Sequence, residues 1–189
     1  MEFRRLTLAF VALCVIAALA SGISVSAPPQ SLAPYVPTPQ PVVEKMLELA
    51  QVTSNDVVYD LGCGDGRIVI TAAKKYGAHA VGVDIDPERI KESTANARAA
   101  GGENLVTFKL EDAMKVDVSP ATVVTLYLLT SSNLQLRPLL TRQLKPGARI
   151  VSHAFMMGDW QPEKTEQVAD ESGFNRTVYL WRADGKVRP

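Results

Sequence analysis

Three glycines alternate with other residues directly after an aspartate in the stretch DLGCGDGRIV. Gly62, Gly64 and Gly66 follow Asp60 with G-x-G-x-G spacing. Glycine tolerates positive φ and has no Cβ, so the backbone of such a loop can approach a ligand closely. The spacing differs from the G-x-G-x-x-G pattern of dinucleotide sites, and an acid beside the loop would repel a pyrophosphate. The stretch therefore favours a ligand that carries positive charge.

Two further acids end predicted strands. Asp84 closes the stretch VGVD, and Asp112 lies within KLEDAM after another β-rich run. A carboxylate at the first position can accept hydrogen bonds from both ribose hydroxyls, and one at the second can accept from an adenine amino group. Because Asp60 and the glycine loop would suit ammonium and sulfonium charges, the set predicts S-adenosylmethionine as the cofactor. A nicotinamide-dependent oxidoreductase is an alternative.

The elements that must position these residues alternate along the chain. Apolar residues at helical spacing and helix-ending glycines predict helices at 42–52, 67–76, 87–100 and 131–144. Runs of β-formers predict strands at 56–61, 80–84, 105–110, 122–129, 149–155, 165–169 and 176–182. This alternation predicts an α/β fold with a single doubly wound, mostly parallel seven-stranded sheet and a C-terminal antiparallel hairpin. In such sheets ligands bind beyond the carboxyl ends of the strands, where the strand order reverses.

The composition narrows the possible partners. The chain has 189 residues, with 20 basic and 20 acidic side chains, so its formal net charge is zero. It offers no basic field for phosphate contacts, and a nucleic-acid partner is not expected. With two histidines and two cysteines at unsuitable spacing, no metal site is expected either.

The N-terminus does not resemble part of a globular domain. Arg4 and Arg5 precede a strongly apolar stretch at 6–20, and the uncharged run continues to Ala27. Residues 1–27 therefore fit a cleaved signal peptide or a retained membrane anchor. In either case the two arginines should stay in the cytoplasm, and the domain should be anchored or exported. Residues 28–41 contain six prolines and predict an extended linker or lid before the domain at 42–189.

Several motifs together resemble a known family. DLGCGDGRIV, VGVDIDP and EDAM resemble the seven-strand (class I) S-adenosylmethionine-dependent methyltransferases across about 42–182. PYVPTP and KPGARIVSHAFMMGDWQP are similar to the protein-lysine methyltransferases of the adenine nucleotide translocase and the ATP synthase c subunit. The resemblance implies that one set of residues holds the methionine end of the cofactor: Asp60, Gly62, Gly64 and Gly66. It further implies that Asp84 holds the ribose, that Asp112 holds the adenine, and that Tyr35 and Thr38 form a lid.

The resemblance also implies a methyl acceptor, namely a lysine of a membrane or membrane-associated protein. The fourth strand ends in TLYLLTSS and lacks the Asn/Asp-Pro-Pro-aromatic motif of enzymes that methylate exocyclic amines of bases. A small-molecule O- or N-methyltransferase is an alternative on the same fold. An exported, non-catalytic binding module is another, because S-adenosylmethionine is made in the cytoplasm and the N-terminus predicts export.

Aromatic residues near the ends of the fourth and fifth strands are candidates for the substrate channel. A lysine must react as the neutral amine, and an apolar channel disfavours its charged form. Tyr127 and Trp160, with Phe155, are candidates to wall that channel and to hold the ammonium by cation–π contact. For Phe155 and Trp160, packing within the domain is the favoured alternative. His153 lies within a predicted strand and is expected to be a hydrogen-bonded core or edge residue.

Overall fold

The computed structural model describes residues 31–189, and the predicted signal or anchor at 1–27 lies outside this range. The strands of the sheet are β1 (Val57–Leu61), β2 (His79–Asp84), β3 (Val106–Leu110), β4 (Val123–Leu126), β5 (Arg149–His153), β6 (Lys164–Ala169) and β7 (Asn175–Arg182). The helices are α1 (Gln40–Leu49), α2 (Arg67–Tyr76), α3 (Pro87–Ala100) and α4 (Thr130–Gln143). Between residues 31 and 189, no helix is long and apolar enough to cross a membrane.

The strands form one mixed sheet with the order β3-β2-β1-β4-β5-β7-β6. β1 to β5 are parallel, whereas β7 is antiparallel to both β5 and β6. The predicted seven-stranded α/β sheet with its C-terminal hairpin is confirmed. The strand order reverses between β1 and β4, so the carboxyl ends of these two strands frame the position where a ligand is expected.

Alternate residues of the central strands enter two apolar layers. Val58 and Val123 belong to the layer under α1 and α2, whereas Tyr59 and Val124 belong to the layer on the opposite face. Leu140 of α4 packs into that second layer. This alternation follows from the two-residue period of a strand, and it shows why central strands covered on both faces are apolar throughout.

Two strands end earlier than the sequence predicts. β4 ends at Leu126 rather than at 129, and Leu128 instead approaches Gly62, where an added Cβ would lie 2.9 Å from the leucine side chain. β5 ends at His153 rather than at 155, because Ala154 has a φ of 64° and turns the chain out of the sheet. The early end of β4 thus brings the Leu128 side chain over the glycine loop that follows β1.

Candidate active site

The glycine loop between β1 and α2 forms the floor of the site. Gly62, Gly64 and Gly66 all have positive φ, at 83°, 53° and 81°. The backbone N–H groups of Gly62 and Cys63 donate to the Val83 carbonyl at 2.8 and 3.0 Å, which ties the loop to β2. Gly62 and Gly64 line a pocket at this edge of the sheet.

Gly66 lies at a different place from the one the resemblance implies. Gly66 is not among the described residues that line the pocket. It caps α2, and a Cβ there would lie 2.8 Å from Phe108 and 2.9 Å from Ser93. Its glycine is therefore required by packing against β3 and α3 rather than by direct contact with the pocket.

Asp84 stands at the carboxyl end of β2 and lines the pocket. Its Oδ2 accepts the backbone N–H of Gly64 at 2.9 Å, and its Oδ1 accepts that of Asp86 at 3.0 Å. Each carboxylate oxygen can accept a further hydrogen bond. The two backbone donors therefore orient Asp84 and leave acceptor capacity for a diol such as ribose.

Asp60 is the most buried acid of the pocket, with 2% of its surface exposed. Its Oδ1 accepts the Thr125 hydroxyl of β4 at 2.7 Å. Burial raises the pKa of Asp60 to about 7, and the nearby Asp84 and Asp65 carboxylates add to the increase. The hydrogen bond from Thr125 acts in the opposite direction and lowers the pKa. A bound cation would relieve this cost by stabilising the ionised carboxylate.

Asp112 follows β3 and also lines the pocket. Its Oδ1 accepts the backbone N–H of Met114 at 2.9 Å, while Lys115 lies 3.5 Å from its other oxygen. The adjacent Glu111 and Ala113 line the same part of the pocket. The third predicted acid is therefore brought to the same cavity as Asp60 and Asp84, as expected from the parallel order of β1, β2 and β3.

Residues 31–38 form a strap across the pocket, and all eight line it. The Tyr35 ring covers the glycine loop, because an added Cβ on Gly64 would lie 2.6 Å from that ring. The Arg89 guanidinium lies 4.4 Å from the centre of the same ring. Thr38 is buried, and its carbonyl accepts Nη1 of Arg67 at 2.8 Å. The structure thus places Tyr35 and Thr38 where the lid is predicted.

The aromatic residues predicted to wall the channel are separated by the fold. Tyr127 follows β4 directly and lines the pocket, whereas Phe155 and Trp160 are not among the described residues that do so. Trp160 packs against Trp181, and the Arg188 guanidinium covers its ring at 4.1 Å. The cation–π face assigned to Trp160 is thus already occupied, so the prediction for this residue does not fit. Phe155 instead lies beside Tyr127, with ring centres 6.2 Å apart.

Three residues that help to build the pocket do not stand out in the sequence. Arg67 binds both Asp65, at 2.5 Å, and the strap, and Arg89 packs on Tyr35. Thr125 supports Asp60 from the neighbouring strand. A lone threonine within the apolar run of β4 was the available signal for Thr125. The arginines carried no such signal, because a charged residue on a helix is usually solvated.

The charges around the pocket suit a cationic ligand. Its ionisable lining has two positive residues, and both are paired with acids: Arg67 with Asp65, and Arg89 with Glu92 at 2.5 Å. The acids that line it are Asp60, Asp65, Asp84, Asp86, Glu111 and Asp112. The buried carboxyl of Asp60 and the oriented carboxylate of Asp84 fit the ammonium and ribose of S-adenosylmethionine. Within residues 31–189, no group of at least three His, Cys, Asp or Glu residues could hold a metal ion.

Comparison with known proteins agrees with this geometry. The family model described as the ANTKMT methyltransferase domain matches residues 60–164. A protein-lysine N-methyltransferase of Saccharolobus islandicus is 50% identical over 149 residues, which cover 78% of this chain and 92% of that relative. The human lysine N-methyltransferase of the ATP synthase c subunit is 33% identical over 130 residues, or 69% of this chain, and the match spans only 55% of the human protein.

One solved structure matches almost over its whole length. It is described as an RNA methyltransferase from Salinibacter ruber in complex with S-adenosyl-L-homocysteine. The TM-score is 0.75 at 52% sequence identity, with 81% of this chain and 97% of that chain covered. Fold and site define a class I methyltransferase. This chain belongs to the ANTKMT methyltransferase domain family and is an S-adenosylmethionine-dependent methyltransferase.

Proposed function

We propose that the methyl acceptor of this enzyme is the side-chain amine of a protein lysine. The observation that carries this proposal is the acidic lining of the pocket in a chain without net charge. An acidic pocket lining favours an acceptor that approaches as a cation, such as lysine, over the phosphates of a nucleic acid. The relative from Saccharolobus islandicus and the human relative are both named as lysine N-methyltransferases, which supports the same acceptor.

The residues of this chain bind and align the reactants. S-adenosylmethionine supplies the electrophilic methyl group when bound. Asp60 would hold the cationic methionine end, Asp84 the ribose and Asp112 the adenine, while the strap with Tyr35 covers the site. Tyr127, at the pocket wall, would present an aromatic face to the incoming ammonium. An apolar wall favours the neutral amine, which has the lone pair that an in-line displacement requires. The chain therefore contributes alignment and exclusion of water.

The experiment is methyl transfer from radiolabelled S-adenosylmethionine to a panel of synthetic peptides that each contain one lysine. Each peptide is paired with a copy in which arginine replaces the lysine, and a pool of RNA transcripts is tested in parallel. We expect label in the lysine peptides alone, and methyllysine after acid hydrolysis. At a concentration of S-adenosylmethionine below its Kd, Asp84→Ala should lower the signal by about tenfold or more, which shows that the label arises from this pocket.

The RNA arm tests the second candidate acceptor, which the description of the Salinibacter ruber structure favours. Label in RNA with none in peptides would overturn the lysine proposal and leave the cofactor site intact. Label in neither would favour a small-molecule O- or N-acceptor, the alternative on the same fold.

We further propose that residues 1–27 place the catalytic domain at or across a membrane. Arg4 and Arg5 before an uncharged run of 22 residues support this proposal. A membrane or membrane-associated protein would then be within reach as the methyl acceptor.

A further inference from the structure

The turn after β5 lies beside Tyr127, which lines the pocket. Ala154 occupies the left-handed region with a φ of 64°, which is uncommon for a residue with a Cβ. The Phe155 carbonyl accepts the Ser152 hydroxyl at 2.7 Å and the Asn133 amide Nδ2 at 3.1 Å. Asn133 and Ser152 are fully buried. Such strain persists where the surroundings over-determine the backbone, and it concentrates at functional sites.

His153, the last residue of β5, shows an unusual lack of hydrogen bonds. Only 1% of its surface is exposed, yet neither ring nitrogen has a hydrogen-bond partner. Across residues 31–189, the buried side-chain polar atoms without a partner are both nitrogens of His153 and Oδ1 of Asn133. The prediction that His153 is a hydrogen-bonded residue is therefore wrong. Buried polar groups without partners destabilise a fold, so the contacts that hold His153 in place come from the faces of its ring and not from its nitrogens.

The imidazole of His153 lies flat against Tyr127. The ring centres are 3.9 Å apart, and the ring planes differ by 27°. Phe155 flanks the same tyrosine, with its ring centre at 6.2 Å. Ser152 pairs with Leu126 across β5 and β4, so the two stacked residues leave the sheet side by side. His153 is thus behind Tyr127, and Tyr127 lines the pocket.

The His153 ring is uncharged at neutral pH. Burial and, to a smaller extent, the positive charge of Arg176 lower the pKa of His153 to about 4. A charged imidazolium in this position would occupy the π-face of Tyr127 and repel a cationic acceptor. The neutral ring can support the tyrosine without either effect.

We propose that His153 is a positioning residue, which fixes the ring of Tyr127 as the wall of the methyl-acceptor channel by stacking against it. The inference rests on the proposed transfer to lysine, because the acceptor has to meet the Tyr127 face. It assigns the stabilising contact to the aromatic plane of His153 rather than to its nitrogens. The unpartnered nitrogens are the cost of placing a flat, neutral ring in that position.

Two substitutions test the ring plane of His153 and its ring nitrogens independently. His153→Phe keeps an aromatic plane and removes both unpartnered nitrogens, whereas His153→Leu keeps an apolar side chain and removes the plane. We expect His153→Phe to keep kcat/KM within about threefold of wild type and to raise the thermal unfolding midpoint. We expect His153→Leu to lower kcat/KM by about tenfold or more, because a displaced wall misaligns the acceptor. Neither should change the Kd for S-adenosylmethionine by more than about twofold.

The full chain is assayed with the best lysine peptide of the panel above, and each variant is also made in a Tyr127→Leu background. A residue that acts through Tyr127 has no further effect once Tyr127 is gone, so His153→Leu should then leave kcat/KM unchanged. An equal loss in both backgrounds would overturn the inference, as would a His153→Phe variant that is as slow as His153→Leu. A wild-type chain that methylates no lysine peptide would contradict the proposed function itself.

Discussion

At the scale of single residues, Asp60 is a pocket acid whose pKa the fold raises. It is buried at the switch point of the sheet, and its pKa is raised to about 7 by burial. An acid of this kind is partly protonated in the free protein at neutral pH. Binding of a cationic cofactor should favour the ionised form, so cofactor binding should release a proton.

Affinity for S-adenosylmethionine should therefore depend on pH through Asp60. The complex binds fewer protons than the free protein, so affinity rises with pH. Between pH 6 and pH 7.5 we expect the dissociation constant to fall about tenfold, because this window crosses the raised pKa of the free protein. Calorimetric titration across the window measures the effect.

The Asp60→Asn variant is the control for that measurement, because it retains a partner for Thr125 and cannot ionise. Its affinity should be weaker at pH 7.5 and nearly independent of pH, apart from titration of the cofactor itself. A variant with the same pH dependence as the wild type would show that another group accounts for it.

At the same scale, the acids of the site could be predicted from the sequence, whereas several of their partners could not. Asp60, Asp84 and Asp112 lie at the ends of successive parallel strands, so topology alone brings them together. The bond from Arg67 to the Thr38 carbonyl spans 29 residues of sequence and depends on how the strap packs. The stack of His153 on Tyr127 likewise depends on how early β4 and β5 end.

At the scale of elements, the strap and the glycine loop form a single unit. The loop can pass under the strap only because Gly64 has no Cβ, since an added one would lie 2.6 Å from the Tyr35 ring. The strap is held at its far end by Ser132 of α4, whose hydroxyl donates to the Leu32 carbonyl. Closure of the pocket therefore depends on residues from three separate segments of the chain.

Gly64→Ala should weaken cofactor binding by at least about tenfold, since the new methyl group displaces the Tyr35 ring. Gly101→Ala is the matched control, because Gly101 also has a positive φ, 68°, but an added Cβ would meet nothing within 4 Å. Both variants should lose about 1 kcal/mol of stability from backbone strain, and only Gly64→Ala should lose affinity. If calorimetry gives Gly64→Ala and Gly101→Ala the same affinity for S-adenosylmethionine, the strap does not close over the cofactor.

Most elements could be predicted because their signals are local. Pro87 begins α3 and Gly101 ends it, as the sequence indicates. The ends of β4 and β5 were not predictable, because apolar residues continue past both strands while the backbone leaves the sheet. The same limitation explains Trp160: its spacing from β5 suggested the pocket, but packing on Trp181 takes it elsewhere.

At the scale of the whole molecule, the proposed role of the N-terminal segment makes a prediction about topology. If residues 1–27 export the domain, as we propose, a phosphatase that is active only outside the cytoplasm should be active when fused after Pro189. A fluorescent protein that matures only inside should stay dark at the same position. The reverse pattern would place the domain with the cytoplasmic supply of S-adenosylmethionine and contradict the orientation expected from Arg4 and Arg5.

We infer that carboxylates at the ends of the parallel strands form the cofactor site. Calorimetric titration of the full chain with S-adenosylmethionine tests it most directly, with Asp84→Ala beside Asp117→Ala, an exposed acid that is not part of the pocket lining. We predict saturable binding by the wild type and by Asp117→Ala. In Asp84→Ala, affinity should be at least about tenfold weaker, since about 1.4 kcal/mol of hydrogen bonding is lost. Undiminished binding by a folded Asp84→Ala variant would show that this carboxylate does not hold the cofactor.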